Sequence, residues 1–317
     1  LEDAAQGADT RFAAVLPGAL YHPTANLLLA GRGKILLDTD NVWRELPETP
    51  VHQRYYWRDL YLKRTRRMRG ATLHLRSQAN NFYHTLVDNL PRLYWLHQPA
   101  LRGVPVSVLV PGGLRAWEPY FLERLLPETA RVIPVATDCL WRSDEPIFGS
   151  YLRRILSGHL PREYLDFFLP RVLPQRKRDK RHRIYITRRT APGGRRITNE
   201  PAVVALLELF GFQPHALETL SLPEQIELFY DAEAVVAPHG AGLTNMLFAD
   251  SIDVVELHPA STVMPHYYLM ARSLGHRYSH LCANQPDRHS SFEVDLGKLE
   301  TILRRTFSHE QGATPCA

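Results

Sequence analysis

The sequence predicts an α/β protein of two doubly wound domains with a cleft between them, the first preceded by a β-rich segment. Three observations predict it. From residue 183 onward, short apolar runs alternate with amphipathic stretches in the order strand, helix, helix, strand, helix, strand, helix, the pattern of a doubly wound sheet. Earlier, the apolar and β-branched VSVLVP at 106–111 is followed by the helical EPYFLERLL and the strand-like RVIPVA, which argues for a mainly parallel layer covered by helices. Finally, 317 residues suffice for two domains at roughly 100–200 residues each, and the basic stretch RKRDKRHR at 176–183 is the preferred joint.

The elements follow in order. ANLLLAGRGKILLDTDNVW at 25–43 holds two apolar runs around Gly31 and Gly33 and reads as a hairpin. ATLHL at 71–75 is a further strand. The period then changes: in NNFYHTLVDNLPRLYWLHQ, 80–98, residues Phe82, Leu86, Leu90, Leu93 and Leu96 recur at three- and four-residue spacing, the stripe of an amphipathic helix. Pro91 interrupts that stripe, so a kink or a break between two helices is expected there. LPREYLDFFLPRVL, 160–173, is helical and leads into the basic joint.

Beyond the joint, RIYITRR is a strand. Asn199 caps the helix EPAVVALLELF, with Pro201 in its first turn and Gly211 as its stop. Ser221 and Glu224 form a capping box that opens SLPEQIELFYDA. AEAVVAP is a strand, GLTNMLFA a helix from about Leu243, DVVELHP a strand, and HYYLMARSLG a helix ended by Gly275. VDLGKLETILRRTF closes the chain with one more amphipathic helix.

Charge narrows the function classes. The formal balance is +5, from 38 Lys and Arg against 33 Asp and Glu, and the excess sits in RDLYLKRTRRMR at 58–69 and in RKRDKRHR. Such runs attract phosphates or anionic lipid, or else form a solvated surface. No nucleic-acid reading motif accompanies them, so nucleic acid is not an expected partner. No run approaches the ~18 consecutive apolar residues of a membrane span, and LEDAAQGADTRFAAVL lacks the basic-then-apolar order of a signal segment. Cys139, Cys282 and Cys316 are far apart and give neither a disulfide framework nor a metal-binding pair. The expected location is cytoplasmic, with peripheral contact to an anionic membrane through the basic runs.

VVAPHGAGLTNMLFA, 235–249, carries the strongest chemical reading. A strand ends, small residues at Gly240, Ala241 and Gly242 let backbone approach a ligand, and the helix beginning near Leu243 offers free amides and a positive dipole end. That is a site for a phosphate or diphosphate, with His239 to donate to a phosphate oxygen or protonate a leaving group. A tight strand-to-helix turn that uses glycine for geometry alone is the other reading. Arg188 and Arg189 end the preceding strand, and Arg195 and Arg196 follow a Pro-Gly-Gly turn, a group of guanidiniums suited to a multiply charged anion. Glu256, at the end of DVVELHP, points into the same cleft and would accept ribose hydroxyls. His84 and Asp88 stand four apart on one helix face, the build of a general base and its orienter or of a satisfied surface pair. Asp38 and Asp40 match a D-x-D metal signature but follow a hairpin, where a turn is the commoner use.

NNFYHTLVDNLPRL, YITRRTAPGGRRITNE, the SLPEQ–LF segment, APHGAGLTNMLF and VVELHP occur in this order and together resemble glycosyltransferase family 61, including its bacterial capsule-type members. The similarity runs from about residue 70 to 285. The resemblance implies a GT-B-like fold of two Rossmann-like domains facing each other across a cleft: an acceptor-side domain over 1–165, a nucleotide-sugar-binding domain over 166–295, and a helix and tail over 296–317. It implies an inverting hexosyl- or pentosyltransferase that takes a nucleotide sugar, by family habit a UDP-sugar, to a glycan or lipid-linked glycan acceptor. Arg188, Arg189, Arg196, Asn199, His239, Gly240, Ala241, Gly242, Leu243 and Glu256 would hold the donor, and His84 and Asp88 would supply the base. Cationic side chains and a helix end would stabilise the leaving group in place of a metal, with no cofactor besides the sugar nucleotide. Thr187 stands where the family leads one to expect serine. The rival reading from another class is a catalytically silent nucleotide-diphosphate or glycan-binding module of the same fold.

Overall fold

The computed structural model describes residues 11–30, 34–36, 58–76, 81–150, 158–189, 195–260, 263–283 and 291–307. Asp38 and Asp40, the Pro-Gly-Gly turn and Cys316 lie outside them. The chain divides into two compact units, Leu1–Ser157 with Pro161–Val172, and Gly158–Leu160 with Leu173–Ala317. The Arg162–Val172 helix, which a boundary at 165 would cut, belongs whole to the first unit. The final helix, Leu296–Phe307, buries Leu299 and Leu303 in the core of the second.

The first unit holds a mixed sheet rather than a mainly parallel one. Its strands are β1 (Ala13–Val15), β2 (Leu20–His22), β3 (Leu27–Ala30), β4 (Lys34–Ile35), β5 (Thr65–His74), β6 (Val106–Pro111), β7 (Ala130–Val135) and β8 (Leu140–Gly149). They run in the order β4-β3-β2-β8-β5-β6-β7, with β1 also on β8. β5, β6, β7 and β8 pair in parallel, as the buried VSVLVP run requires, while β1 to β4 add antiparallel ladders. The expected hairpin is the β3–β4 pair. The ten-residue β8 escaped the sequence reading because LWRSDEPIFG alternates poorly and contains Pro146. A buried ion pair closes the carboxyl end of β6: Arg76 Nη2 meets Glu118 Oε2 at 2.6 Å, and its Nη1 donates to Pro111 O at 2.7 Å.

Residues 82–97 carry the break expected at Pro91, with helical turns of three different kinds around it. A single α-turn, Phe82–His84, widens into a π-turn over Thr85–Asn89 and then tightens into a 3₁₀ helix over Leu90–His97. The cause is Pro91: it has no amide hydrogen to give the carbonyl four residues back, and its ring crowds that carbonyl. The Leu90 amide reaches five residues back to Thr85 O instead, which opens the turn. The apolar stripe still faces inward, with Leu86, Leu90, Leu93 and Leu96 buried.

The second unit is a doubly wound parallel sheet of β9 (His182–Ile186), β10 (Phe212–His215), β11 (Ala232–Pro238), β12 (Asp253–His258) and β13 (Arg277–Cys282), in the order β10-β9-β11-β12-β13. In chain order this is 2-1-3-4-5, whose connections diverge between its first and third strands. The capping box of Ser221 and Glu224, the left-handed Gly211 and the left-handed Gly275 stop are all in place. β10 and β13 were not read from the sequence. FQPH carries a proline that only an edge strand tolerates, and RYSHLC, the other edge, buries only Leu281 and has no alternating pattern to read. Asn199 does occupy the cap position, but its side chain makes no cap bond; it exchanges two hydrogen bonds with the Val294 backbone, at 2.8 and 3.0 Å.

No helix among the described residues is long and apolar enough to cross a membrane. Cys139 is buried, Cys282 half-buried, and both are free thiols.

Candidate functional site

Chemistry-bearing side chains gather at one place in each unit. In the first, Asn81 caps the helical segment by accepting the His84 amide at 3.0 Å. The wide turn that follows brings His84 Nδ1 to 2.5 Å from Asp88 Oδ2. Asp88 is 4% exposed, whereas the His84 side chain is 20% exposed. With Nδ1 facing the carboxylate, Nε2 is the ring atom left to meet a substrate. Thr85 steadies the turn: its hydroxyl donates to Asn81 O at 3.0 Å and accepts the Trp117 indole N–H at 3.1 Å.

In the second unit the group lies at the carboxyl ends of β9, β11 and β12, at the point where the strand order reverses. Arg188 follows β9 and reaches the turn after β11 so closely that a Cβ on Gly240 would stand 2.4 Å from its Nη1. Gly240 is extended at φ 169°, so the side-chain approach, not the backbone conformation, is what requires glycine there. Gly242 serves packing: a Cβ would sit 3.2 Å from Leu217 and 3.4 Å from Ile186, holding the next helix tight on β9. That helix is 3₁₀ over Ala241–Phe248 rather than an α-helix from Leu243, and the Leu243 amide is taken by Gly240 O at 3.0 Å. The amides of Ala241 and Gly242 stand before that first bond, at the positive end of the helix.

His239, 7% exposed, turns Nδ1 to Glu256 Oε1 at 2.5 Å. Glu256 is fully buried and its other oxygen accepts the Tyr278 hydroxyl at 2.6 Å, with His258 Nε2 at 3.4 Å. Both oxygens are engaged, so in this structure Glu256 faces His239, His258 and Tyr278. The His258 ring stacks on His239 at 5.3 Å, and Tyr267 meets the same ring edge-on at 5.3 Å.

Burial alone would push the Glu256 carboxyl up, but hydrogen bonds from His239 and His258 outweigh it and hold the group at about 2. It is therefore an anion at every ordinary pH. Its stabilising contribution is complete above the usual carboxylate value of 4.5 and disappears as pH falls from there towards 2. Arg188 is pressed the other way: burial lowers its affinity for a proton and the nearby Arg195 adds repulsion. Two guanidiniums held together in a half-buried place favour an anion between them.

The remaining expected residues divide. Arg195, at a left-handed φ of 57°, is the second cation near Arg188, while Arg189 and Arg196 are exposed. The Thr187 hydroxyl donates to Glu200 Oε1 at 2.6 Å, a structural bond that serine would also make. Sequence reasoning missed His258, Tyr267 and Tyr278. His258 was within reach, since it stands two residues after Glu256 on one strand and shares its face. The tyrosines arrive from a later helix and an edge strand, with no local signal.

His239, Glu256 and His258 bring ligand-type atoms within 4.8 Å of one another. Two imidazoles and a carboxylate suit several divalent transition metals. A metal there would have to displace the bonds that His239, His258 and Tyr278 now make to Glu256. A separate cavity of about 1030 Å³ opens at the amino ends of the same strands, lined among others by Arg183, Glu233, Asp253 and Arg277. Those four form two ion pairs, Arg183 with Glu233 and Arg277 with Asp253, so this hollow is not where the catalytic-type groups converge.

A family model described as Glycosyltransferase 61 matches residues 82–264, more than half of the chain and a span that contains His84, Asp88, Arg188, His239 and Glu256. No curated protein matches the chain.

Proposed function

We propose, from the premise that the chain belongs to glycosyltransferase family 61, that it is an inverting enzyme moving a sugar from a nucleotide-diphosphate donor to a hydroxyl of a glycan or glycoconjugate. The donor is a UDP-sugar by family habit, and the GT-B-like arrangement is part of the proposal. The observation that carries it is the approach of Arg188 to Gly240 beside the His239–Glu256 pair, at the crevice where doubly wound sheets bind ligands.

In this reading the donor diphosphate lies against Arg188, Arg195 and the amides that begin the Ala241–Phe248 helix. His84 Nε2 takes the proton of the acceptor hydroxyl, and the freed oxygen attacks the anomeric carbon from the face opposite the diphosphate. The carbon–oxygen bond to the diphosphate breaks with its electron pair staying on the leaving group, through an oxocarbenium-like state. The arginines and His239, held by an always-charged Glu256, meet that developing charge. Asp88 orients His84, and the reaction proceeds without metal.

Two experiments test the donor half. Arg188→Ala and His239→Ala are each expected to weaken binding of a nucleoside diphosphate by about 1.5–3 kcal/mol in calorimetry; unchanged affinity in both variants would remove the site. Chelation with EDTA is expected to leave turnover intact. Loss of activity on chelation, restored by Mn²⁺ or Zn²⁺, would instead make His239, Glu256 and His258 a metal centre, the second reading that their geometry favours. A silent binding module would bind donor yet never release free nucleoside diphosphate with a panel of acceptors.

A further inference from the structure

We propose that the outer face of residues 58–69 is a docking surface for an anionic phospholipid membrane. The sequence holds two basic runs of similar density, and the structure treats them differently. In the second, Arg176 bonds Asp231 and Glu227, Arg178 donates to Tyr230 O and Phe248 O, and Arg183 pairs with Glu233. Those cations are components of the second unit's own fold.

The first run faces outward. Arg58, Arg64, Arg67 and Arg69 are exposed, while the neighbouring Arg66 lies over the Trp141 ring. Two acids beside the run are already engaged: Asp59 binds His22 and Lys63, and Asp144 accepts the Gly70 amide at 2.9 Å. Arg67 on β5 also stands directly beside the exposed Arg142 on β8, a like-charge pair in register. Like charges placed side by side repel, so this face gains most from a partner that supplies many negative groups at once.

Two apolar side chains narrow the partner. Tyr61 is 75% exposed and Leu62 is 67% exposed, next to one another on the helical stretch 58–62 and flanked by Arg58, Lys63 and Arg64. A phosphate or a nucleic acid would use the arginines and leave the leucine in water. A bilayer surface uses both: headgroup phosphates meet the guanidiniums, while tyrosine and leucine enter the boundary between headgroups and acyl chains. An amphiphilic patch of this build docks a protein on a membrane without any spanning segment.

The test is co-sedimentation of the full chain with vesicles of phosphatidylcholine alone and of phosphatidylcholine mixed with phosphatidylglycerol. Partition is expected on the mixed vesicles only, with partial release by salt. Arg64→Ser, Arg67→Ser and Arg69→Ser should each lower it about fivefold, whereas Arg67→Lys should keep it and Arg181→Ser, in the second run, should not change it. A Tyr61→Ser, Leu62→Ser double variant should lose the binding that survives salt, and it reads the same surface if an arginine variant fails to fold. Equal partition on both vesicle types, partition on neither, or an equal fall in Arg181→Ser would overturn the proposal. So would arginine-dependent binding to an RNA homopolymer by a chain that ignores vesicles.

Discussion

His84→Asn is expected to lower turnover ~10²–10⁴-fold while leaving donor affinity unchanged. The expectation rests on an asymmetry within the pair. Asp88 is nearly enclosed and its Oδ2 is occupied by His84 Nδ1, whereas the His84 side chain is 20% exposed. In the proposed mechanism Nε2 is therefore the atom that meets the hydroxyl, and Asp88 holds the ring's direction. Asp88→Asn should reduce turnover less than His84→Asn does, because the amide still touches Nδ1. The order of the two losses separates the roles. Residual activity in His84→Asn above that of Asp88→Asn would transfer the base to Asp88, and normal turnover in both variants would make the pair structural.

The largest loss of stability is expected from Arg76→Ala, about 3–5 kcal/mol. Arg76 is 3% exposed and Glu118 is entirely buried; the arginine also holds Pro111 O and Gly113 O, so one side chain ties the end of β6 to the helix Glu118–Leu125. Truncation strands the fully buried Glu118 carboxylate with, among the described residues, the Arg115 amide at 2.6 Å still donating to it. Removing both charges, as in Arg76→Met with Glu118→Leu, should recover most of the loss, since the cost is that of an uncompensated buried ion. Among the described residues the tryptophans Trp95, Trp117 and Trp141 all lie in the first unit, so their fluorescence during urea unfolding follows the unit that holds the pair. A loss below about 1 kcal/mol in Arg76→Ala would mean the pair behaves like a solvated surface bridge.

The second unit was the more readable in the sequence, and the reason is local. Its helices announce themselves through Ser221 and Glu224, Pro201, Gly211 and Gly275, residues whose backbone demands act within a few positions. What escaped was settled at a distance. FQPH becomes a strand only because β9 offers it a parallel edge, and Asn199 leaves its expected cap bond because Val294, far along the chain, presents a matching amide and carbonyl. In the candidate site, His239 and Arg188 could be named from strand ends and glycines, while Tyr278 could not. Glu256 shows the limit most clearly. Its place at a strand end was evident, but its role depends on three side chains closing around it, and that is a property of packing rather than of spacing.

The turn from Thr85 to Asn89 places a constraint on how this segment can change over time. It accommodates one residue more than a regular helical turn, and both the His84–Asp88 pair and the inward stripe beyond Pro91 depend on that count. A π-turn holds one residue more than an α-turn over the same advance, so deleting one between His84 and Leu90 would return Pro91 to a regular α-turn, where its ring meets the carbonyl four residues back. Substitution can alter this stretch one side chain at a time, but a length change forfeits either the fold of the segment or its chemistry. Among homologues the interval from the histidine to the proline should accordingly be of fixed length, even where the residues inside it differ.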